Sequence, residues 1–348
     1  MEIYRAVPRW MISASRLGLF ASMTTGKILL AIASLVLFVL AAAPKTEAQD
    51  VELDIAYAEH VPLATHSLLL DLVKAGNRLL AAGERGHIIL SDDGGKTWRQ
   101  AQTVPTRSTL TTLFAIDDRI WAAGHDSVIL TSSDGGENWT RQYFDPARQQ
   151  PIMDLYFQDK SHGIAIGAYG LMLLTSDGGH SWEDEAVSDE DDAHLNAIIE
   201  TSTGSLLIAG EAGFSYRSTD SGVTWESMDM PYGGSMFGAV STAESCVLFY
   251  GLRGHIMRSC DDGGSWEELS TGSEATLLGA AGQDGQILLA GNGGVILVYN
   301  GADGFSSHLH SSGVDFSAVL GLGAGHFLLA GEDGTYFYPE DSQGLVAP

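Results

Sequence analysis

The chain has 348 residues, 45% hydrophobic and 18% charged, a globular composition that excludes a disordered chain, a collagen, a coiled coil and a multi-span membrane protein. Its 44 acidic against 18 basic residues give a formal charge of -26; that charge repels phosphate backbones and anionic lipid and argues against nucleic acid as a partner. Forty-two glycines against nine prolines indicate many tight turns, and two cysteines are too few for a zinc site.

Residues 28–43 (ILLAIASLVLFVLAAA) form an uncharged apolar run after Lys27, followed by a polar stretch containing Thr46, Glu47 and Ala48. This pattern reads as a secretory signal over residues 1–48, cleaved after Ala48, with Met23 an alternative start. The run is short against the ~20 residues of a membrane span, so an uncleaved anchor is the second reading. The mature chain is thus expected to be exported to the periplasm or an equivalent compartment.

The remainder repeats itself. An octet of the form [ST]-x-D-x-G-x-[TSN]-W occurs at residues 91–98 (SDDGGKTW), 132–139 (SSDGGENW), 175–182 (TSDGGHSW), 218–225 (STDSGVTW) and 259–266 (SCDDGGSW). A decayed sixth copy spans 298–305 (VYNGADGF). An apolar run ending in glycine lies upstream of each octet and recurs once more where no octet follows, at Gly83, Gly124, Gly167, Gly210, Gly251, Gly291 and Gly331. This second marker defines seven units. A period of about forty residues with several short strands per unit predicts an all-β, single seven-bladed propeller of four-stranded blades over residues 49–340, with 341–348 a tail.

In the first unit the predicted strands are A at 67–73, B at 79–82, C at 87–90 and D at 98–102, with a B-to-C turn at 83–86. The seventh unit supplies A (316–320), B (327–330) and C (335–338) but no fourth strand. Residues 51–57 (VELDIAY) have no blade of their own, and are expected to close the ring as strand D of the last blade, covering its edge.

The octets join strands C and D. Asp93, Asp134, Asp177, Asp220 and Asp261 are read as turn staples that accept backbone N-H groups, and Trp98, Trp139, Trp182, Trp225 and Trp266 as wedges between neighbouring sheets. Carboxylates spread over separate blades cannot converge on one substrate, so catalysis by them is not expected.

The octet resembles the Asp-box, or BNR repeat, of sialidases, sortilin-type receptors and xyloglucanases. One ring, an export signal and GG-containing boxes after G-x-x-G turns resemble most the photosystem II stability/assembly-factor family of seven-bladed propellers, over about residues 51–340. The resemblance implies a non-enzymatic scaffold, without cofactor, that binds a membrane-protein subunit during assembly; similar propellers in bacteria without a photosystem suggest an accessory of an envelope transporter.

Strand order places A-to-B and C-to-D turns on one rim, and B-to-C turns and interblade connections on the other. The second, loop rim is the expected binding face for a membrane or envelope protein, with Arg85, His125, Asp126, Tyr169, Tyr232, Arg253 and Asp333 as candidate contacts. The bland alternative is a set of solvated loops. The run at 183–192 (EDEAVSDEDD) is either a solvated loop or a calcium site, though it lacks a calcium loop's alternating ligands and turn glycine. His60, His66, His308 and His310 are either a metal group or four separate surface residues. Cys246 and Cys260 lie nearly opposite in the hairpin of unit five, bonded or as two buried thiols; pairing about Leu252 and Arg253 sets Cys246 against Ser259, so a bond would need a bulge.

A sialidase-like hydrolase is the competing function. It requires converging arginines for a substrate carboxylate, and only Arg85, Arg107, Arg148 and Arg253 lie near the loop rim. A xyloglucanase-like cleft needs two propellers. No turnover is therefore expected, and the chain is expected to act as a monomer.

Overall fold

The computed structural model describes residues 55–188 and 192–340; residues 1–54, with the expected secretory signal, and Asp189, Glu190, Asp191 and the tail 341–348 lie outside the described residues. Seven antiparallel sheets follow one another around a ring. Blade one consists of Leu69–Ala75, Arg78–Gly83, Ile88–Ser91 and Arg99–Gln100 as strands A to D. Five further blades repeat this four-stranded order, and the seventh contains Phe316–Gly323, His326–Gly331 and Gly334–Tyr338.

Strand B explains the apolar run that marks each unit. It is covered on both faces, by the blade before and the blade after, so alternate residues serve two different cores. In blade one, Leu80 and Ala82 pack with Leu113, Ile120 and Trp139 of blade two. Leu79 and Ala81 pack with Ala318, Leu328, Ala330 and Phe337 of blade seven. The closing glycine answers a close approach. Gly83 is extended (φ -173°), and a Cβ there would lie 2.0 Å from the Leu68 carbonyl oxygen.

Of residues 51–57, expected to close the ring, 51–54 lie outside the described residues. Ile55, Ala56 and Tyr57 form no strand. Instead the Ala58 amide donates to the Val104 carbonyl at 2.9 Å, and Arg107 Nε donates to the Tyr57 carbonyl at 2.9 Å. This stretch therefore runs along the connection between blades one and two, and among the described residues blade seven has three strands. Side chains join the ring's ends: Leu72, Leu79 and Ile89 interdigitate with blade seven, and Trp98 packs against that cluster. Strand boundaries also move. Strand A of blade one begins at Leu69, and strand D is only Arg99–Gln100, because Trp98 belongs to the turn that seats it.

A candidate binding face and the rim opposite

The octets build one rim. In the first, Asp93 Oδ1 accepts the Ser91 hydroxyl and the Thr97 amide, each at 2.9 Å, and Oδ2 accepts the Thr97 hydroxyl at 2.6 Å. Asp134, Asp177, Asp220 and Asp261 repeat this set with Asn138, Ser181, Thr224 and Ser265. The Thr97 and Thr224 hydroxyls and amides hold the carboxyls of Asp93 and Asp220 down to about 2. The third-place aspartate of each octet is thus satisfied by donors within its own turn. Trp139 is buried, and Trp98, Trp182, Trp225 and Trp266 are half-buried against the preceding blade.

The opposite rim carries the B-to-C turns. Each of the first six is a single 3-10 turn whose middle residue is left-handed: Arg85 (φ 58°), Asp126 (59°), Tyr169 (55°), Ala212 (52°), Arg253 (55°) and Gly293 (67°). Asp333, in the tighter turn of blade seven, has φ 64°. For an L-residue this conformation costs roughly 1–2 kcal/mol.

The predicted contacts occupy this rim without converging on one centre. Arg85 is exposed, 4.0 Å from Glu84. His125 is exposed, and Asp126 accepts the Ser108 hydroxyl at 2.6 Å. Tyr169 is 57% exposed, with its ring edge-on to His194 at 4.7 Å. The Tyr232 ring stacks on His255 at 3.8 Å, and its hydroxyl donates to the Leu252 carbonyl beside Arg253. Arg253 is exposed, and none of the described residues bonds to its guanidinium. Asp333 lies 3.6 Å from His66.

The four histidines stay apart. His60 meets the Gln102 carbonyl, His66 faces Asp333, His308 lies near Tyr338, and His310 is buried edge-on to Phe316 and Tyr336. Among the described residues no group of three or more His, Cys, Asp or Glu side chains is placed to hold a metal ion.

Cys246 and Cys260 form a disulfide with Cα atoms 4.1 Å apart. The expected register is corrected by one residue. Val247, not Cys246, pairs with Ser259, because the B-to-C turn holds three residues centred on Arg253. The cysteines then face each other with no bulge.

A polar group absent from the sequence reading lines the axis. Strand A turns its edge to a central channel of about 160 Å³, lined by residues of every blade, among them Asp71, Thr112, Asp154, Tyr250 and Ser317. Asp71 of blade one accepts the Leu113 amide of blade two at 2.6 Å. Asp154 of blade three accepts the Ile198 amide of blade four at 2.9 Å. Tyr250 of blade five lies over Gly238, where a Cβ would be 2.2 Å from its hydroxyl, and takes the Ala280 backbone of blade six. Blades one, three and five are thereby stapled to the blades that follow them. Burial pushes the Asp71 carboxyl up to about 7 and that of Asp154 up to about 6, against the backbone hydrogen bonds that pull them down. The signal in sequence is an Asp-Leu pair in strand A, Asp71-Leu72 and Asp154-Leu155, at the same place in units one and three.

The chain is thus a seven-bladed propeller with an internally bonded octet rim and an open loop rim. It belongs to the family described as photosynthesis system II assembly factor YCF48, whose pattern matches residues 52–148 and 144–299. No curated protein matches the sequence. Among solved structures, YCF48 bound to D1 peptide is similar at 19% identity and TM-score 0.65, over 80% of this chain and 95% of that one. YCF48 from Cyanidioschyzon merolae is similar at 16% identity and TM-score 0.61, over 80% and 97%. The Niastella koreensis GH74 enzyme shares the fold at 13% identity and TM-score 0.63, over 80% of this chain and 53% of its own.

Proposed function

We propose that the chain is a non-enzymatic, exported, monomeric scaffold that binds an extended segment of a membrane or envelope protein through its loop rim. The observation that carries this reading is the row of turn tips. Arg85, Asp126, Tyr169 and Arg253 hold a left-handed conformation that glycine adopts without strain, as Gly293 does in blade six. Strain kept at exposed side chains points to a role outside the fold. Family membership and a related propeller with a bound peptide support the same conclusion.

The hydrolase alternative lacks its anion clamp. Arg85 sits by Glu84, Arg107 binds Glu59 and the Tyr57 carbonyl, and Arg148 binds Asp145 and Asp184, so the rim's cations are dispersed. The test is capture from envelope extracts on immobilised protein, followed by mapping of the retained membrane protein on overlapping peptides. The double reversal Arg85→Glu with Arg253→Glu is expected to weaken peptide binding at least tenfold, and Lys96→Glu on the octet rim to leave it unchanged. Equal losses at both rims would refute the assignment, as would sialoside or polysaccharide hydrolysis above a heat-inactivated control.

A further inference from the structure

Four grooves between neighbouring blades are bridged on the octet rim by an arginine of the earlier blade. Arg78 Nη1 donates to the Gly135 carbonyl at 3.0 Å, and Arg119 Nη2 to the Gly178 carbonyl at 2.8 Å. Arg217 Nη1 donates to the Asp262 carbonyl at 3.1 Å, and Arg258 Nη1 to the Tyr299 hydroxyl at 3.0 Å. Gly135, Gly178 and Asp262 hold the same fourth place in their octets. The repeat therefore has a carbonyl receptor for a guanidinium at that place, filled from strand B by Arg78 and Arg119 or from strand C by Arg217, while Arg258 of strand C meets a hydroxyl instead.

The groove between blades three and four lacks such an arginine. His162 stands to Gly167 as Arg78 stands to Gly83, and its ring turns back to Asp159, with Nδ1 and Oδ2 2.9 Å apart. The strand-C place is held by Leu174, opposite Ile164, as Arg217 is opposite Leu207. In the octet of blade four the fourth place is Ser221, and no donor of the described residues reaches its carbonyl. The sixth place, polar or glycine elsewhere (Lys96, Glu137, His180, Gly264), is Val223, 77% exposed. What remains is a cleft of about 350 Å³ with Tyr156, Ile164, Leu174 and Val223 as apolar wall and Ser181, Glu183 and Ser221 as polar edge. That volume is in the range of small-ligand sites. No lysine or arginine lines it, and Glu183 is exposed without a partner among the described residues.

We propose that this cleft is a binding site for an arginine side chain of a partner protein, supplying in trans the group that the chain's own arginines supply in four of the other six grooves. The guanidinium donates to the Ser221 carbonyl and to Glu183, while the alkyl stem lies along Leu174 and Val223. A planar fork with five donors satisfies a carbonyl and a carboxylate together, which an ammonium does less well. The site lies on the octet rim, so it is independent of the loop-rim reading.

The test is titration of the whole protein with acetyl-Leu-Arg-amide, read by amide chemical shifts, with acetyl-Leu-Gln-amide as the uncharged control. Shifts are expected at Ile164, Leu174, Ser221 and Val223, with the glutamine probe at least tenfold weaker. His162→Arg and Leu174→Arg place an arginine in cis; each is expected to weaken the probe at least tenfold, and His162→Arg to raise Tm. Should Leu174→Arg fail to fold, His162→Arg decides. Absent binding, equal binding of the two probes, or binding untouched by His162→Arg would overturn the proposal.

Discussion

Two sets of aspartates, one on the octet rim and one at the axis, show how one residue type does opposite work. Asp93 and Asp220 sit at the surface, with their charge met by hydroxyl and amide donors from within the same turn. Their acidity rises. Asp71 and Asp154 each accept the amide of the following residue and one strand amide across a blade boundary, and Asp154 also the Thr112 hydroxyl, inside a channel walled by all seven blades. Burial outweighs those bonds, and their acidity falls. The octet carboxylates are thus satisfied locally, whereas the axis depends on the assembled ring.

The comparison breaks most sharply where a wedge is removed. Trp139 is 4% exposed between blades one and two, and Trp139→Ala is expected to cost about 4 kcal/mol in a urea unfolding midpoint, in the range for large buried aromatics. A loss below ~1 kcal/mol would mean that the octet tryptophans are ornaments of the turn. Next comes the disulfide, which bridges 14 residues of sequence. Replacing both cysteines by serine is expected to cost about 3 kcal/mol by loop closure, measured against the unreduced protein. Both changes should leave peptide binding at the loop rim intact wherever the fold persists.

The aspartate turns of the octet rim were legible in the sequence because their donors and acceptors lie within eight consecutive letters. The count of seven blades was legible because strand B must be apolar on both faces and end in a small residue. What escaped depends on distance. The aspartates at 71 and 154 read as polar interruptions of a strand until seven such strands enclose a channel. Residues 51–57 have no blade of their own in the sequence, and the described part from Ile55 forms no strand, with Ala58 paired to Val104 of the blade one to two connection. The Cys246 register turned on whether the hairpin tip holds two residues or three, which a glycine count does not decide. The cleft between blades three and four becomes visible only when fillers are compared groove by groove.

Acid distinguishes the two sets of aspartates by sign. The Asp71 carboxyl is neutral up to about 7 in the fold but only to its ordinary 3.8 when unfolded. Its contribution is therefore whole below ~4 and is lost as pH rises through about 7. Asp154 follows through about 6. The octet carboxyls at about 2 behave oppositely: Asp93 and Asp220 contribute above their ordinary value and fail as pH falls toward 2. Stability should thus peak near pH 4–5 and decline on both sides. In the double variant Asp71→Asn with Asp154→Asn the decline between pH 5 and 8 should shrink by about 1–2 kcal/mol, channel water screening part of the full effect, and the acid limb should be unchanged. An unaltered alkaline limb would remove the axial carboxyls from this role.

The smallest effect is the most pointed. At Tyr169 a left-handed φ of 55° is held by an aromatic residue, where glycine would relieve strain but add freedom to the unfolded chain by ~1 kcal/mol. Tyr169→Gly is therefore expected to alter stability by less than ~1 kcal/mol, and to be the more stable of the pair Tyr169→Gly and Tyr169→Ala, since alanine keeps the strain and loses the ring. Both should weaken peptide binding, by similar factors, because both remove the exposed ring. If alanine proves the more stable, the tip is unstrained and the argument from conformation to function fails. If neither affects binding, Tyr169 belongs with the solvated loops, and the loop rim's contacts must be sought on the side of Arg253 and Tyr232.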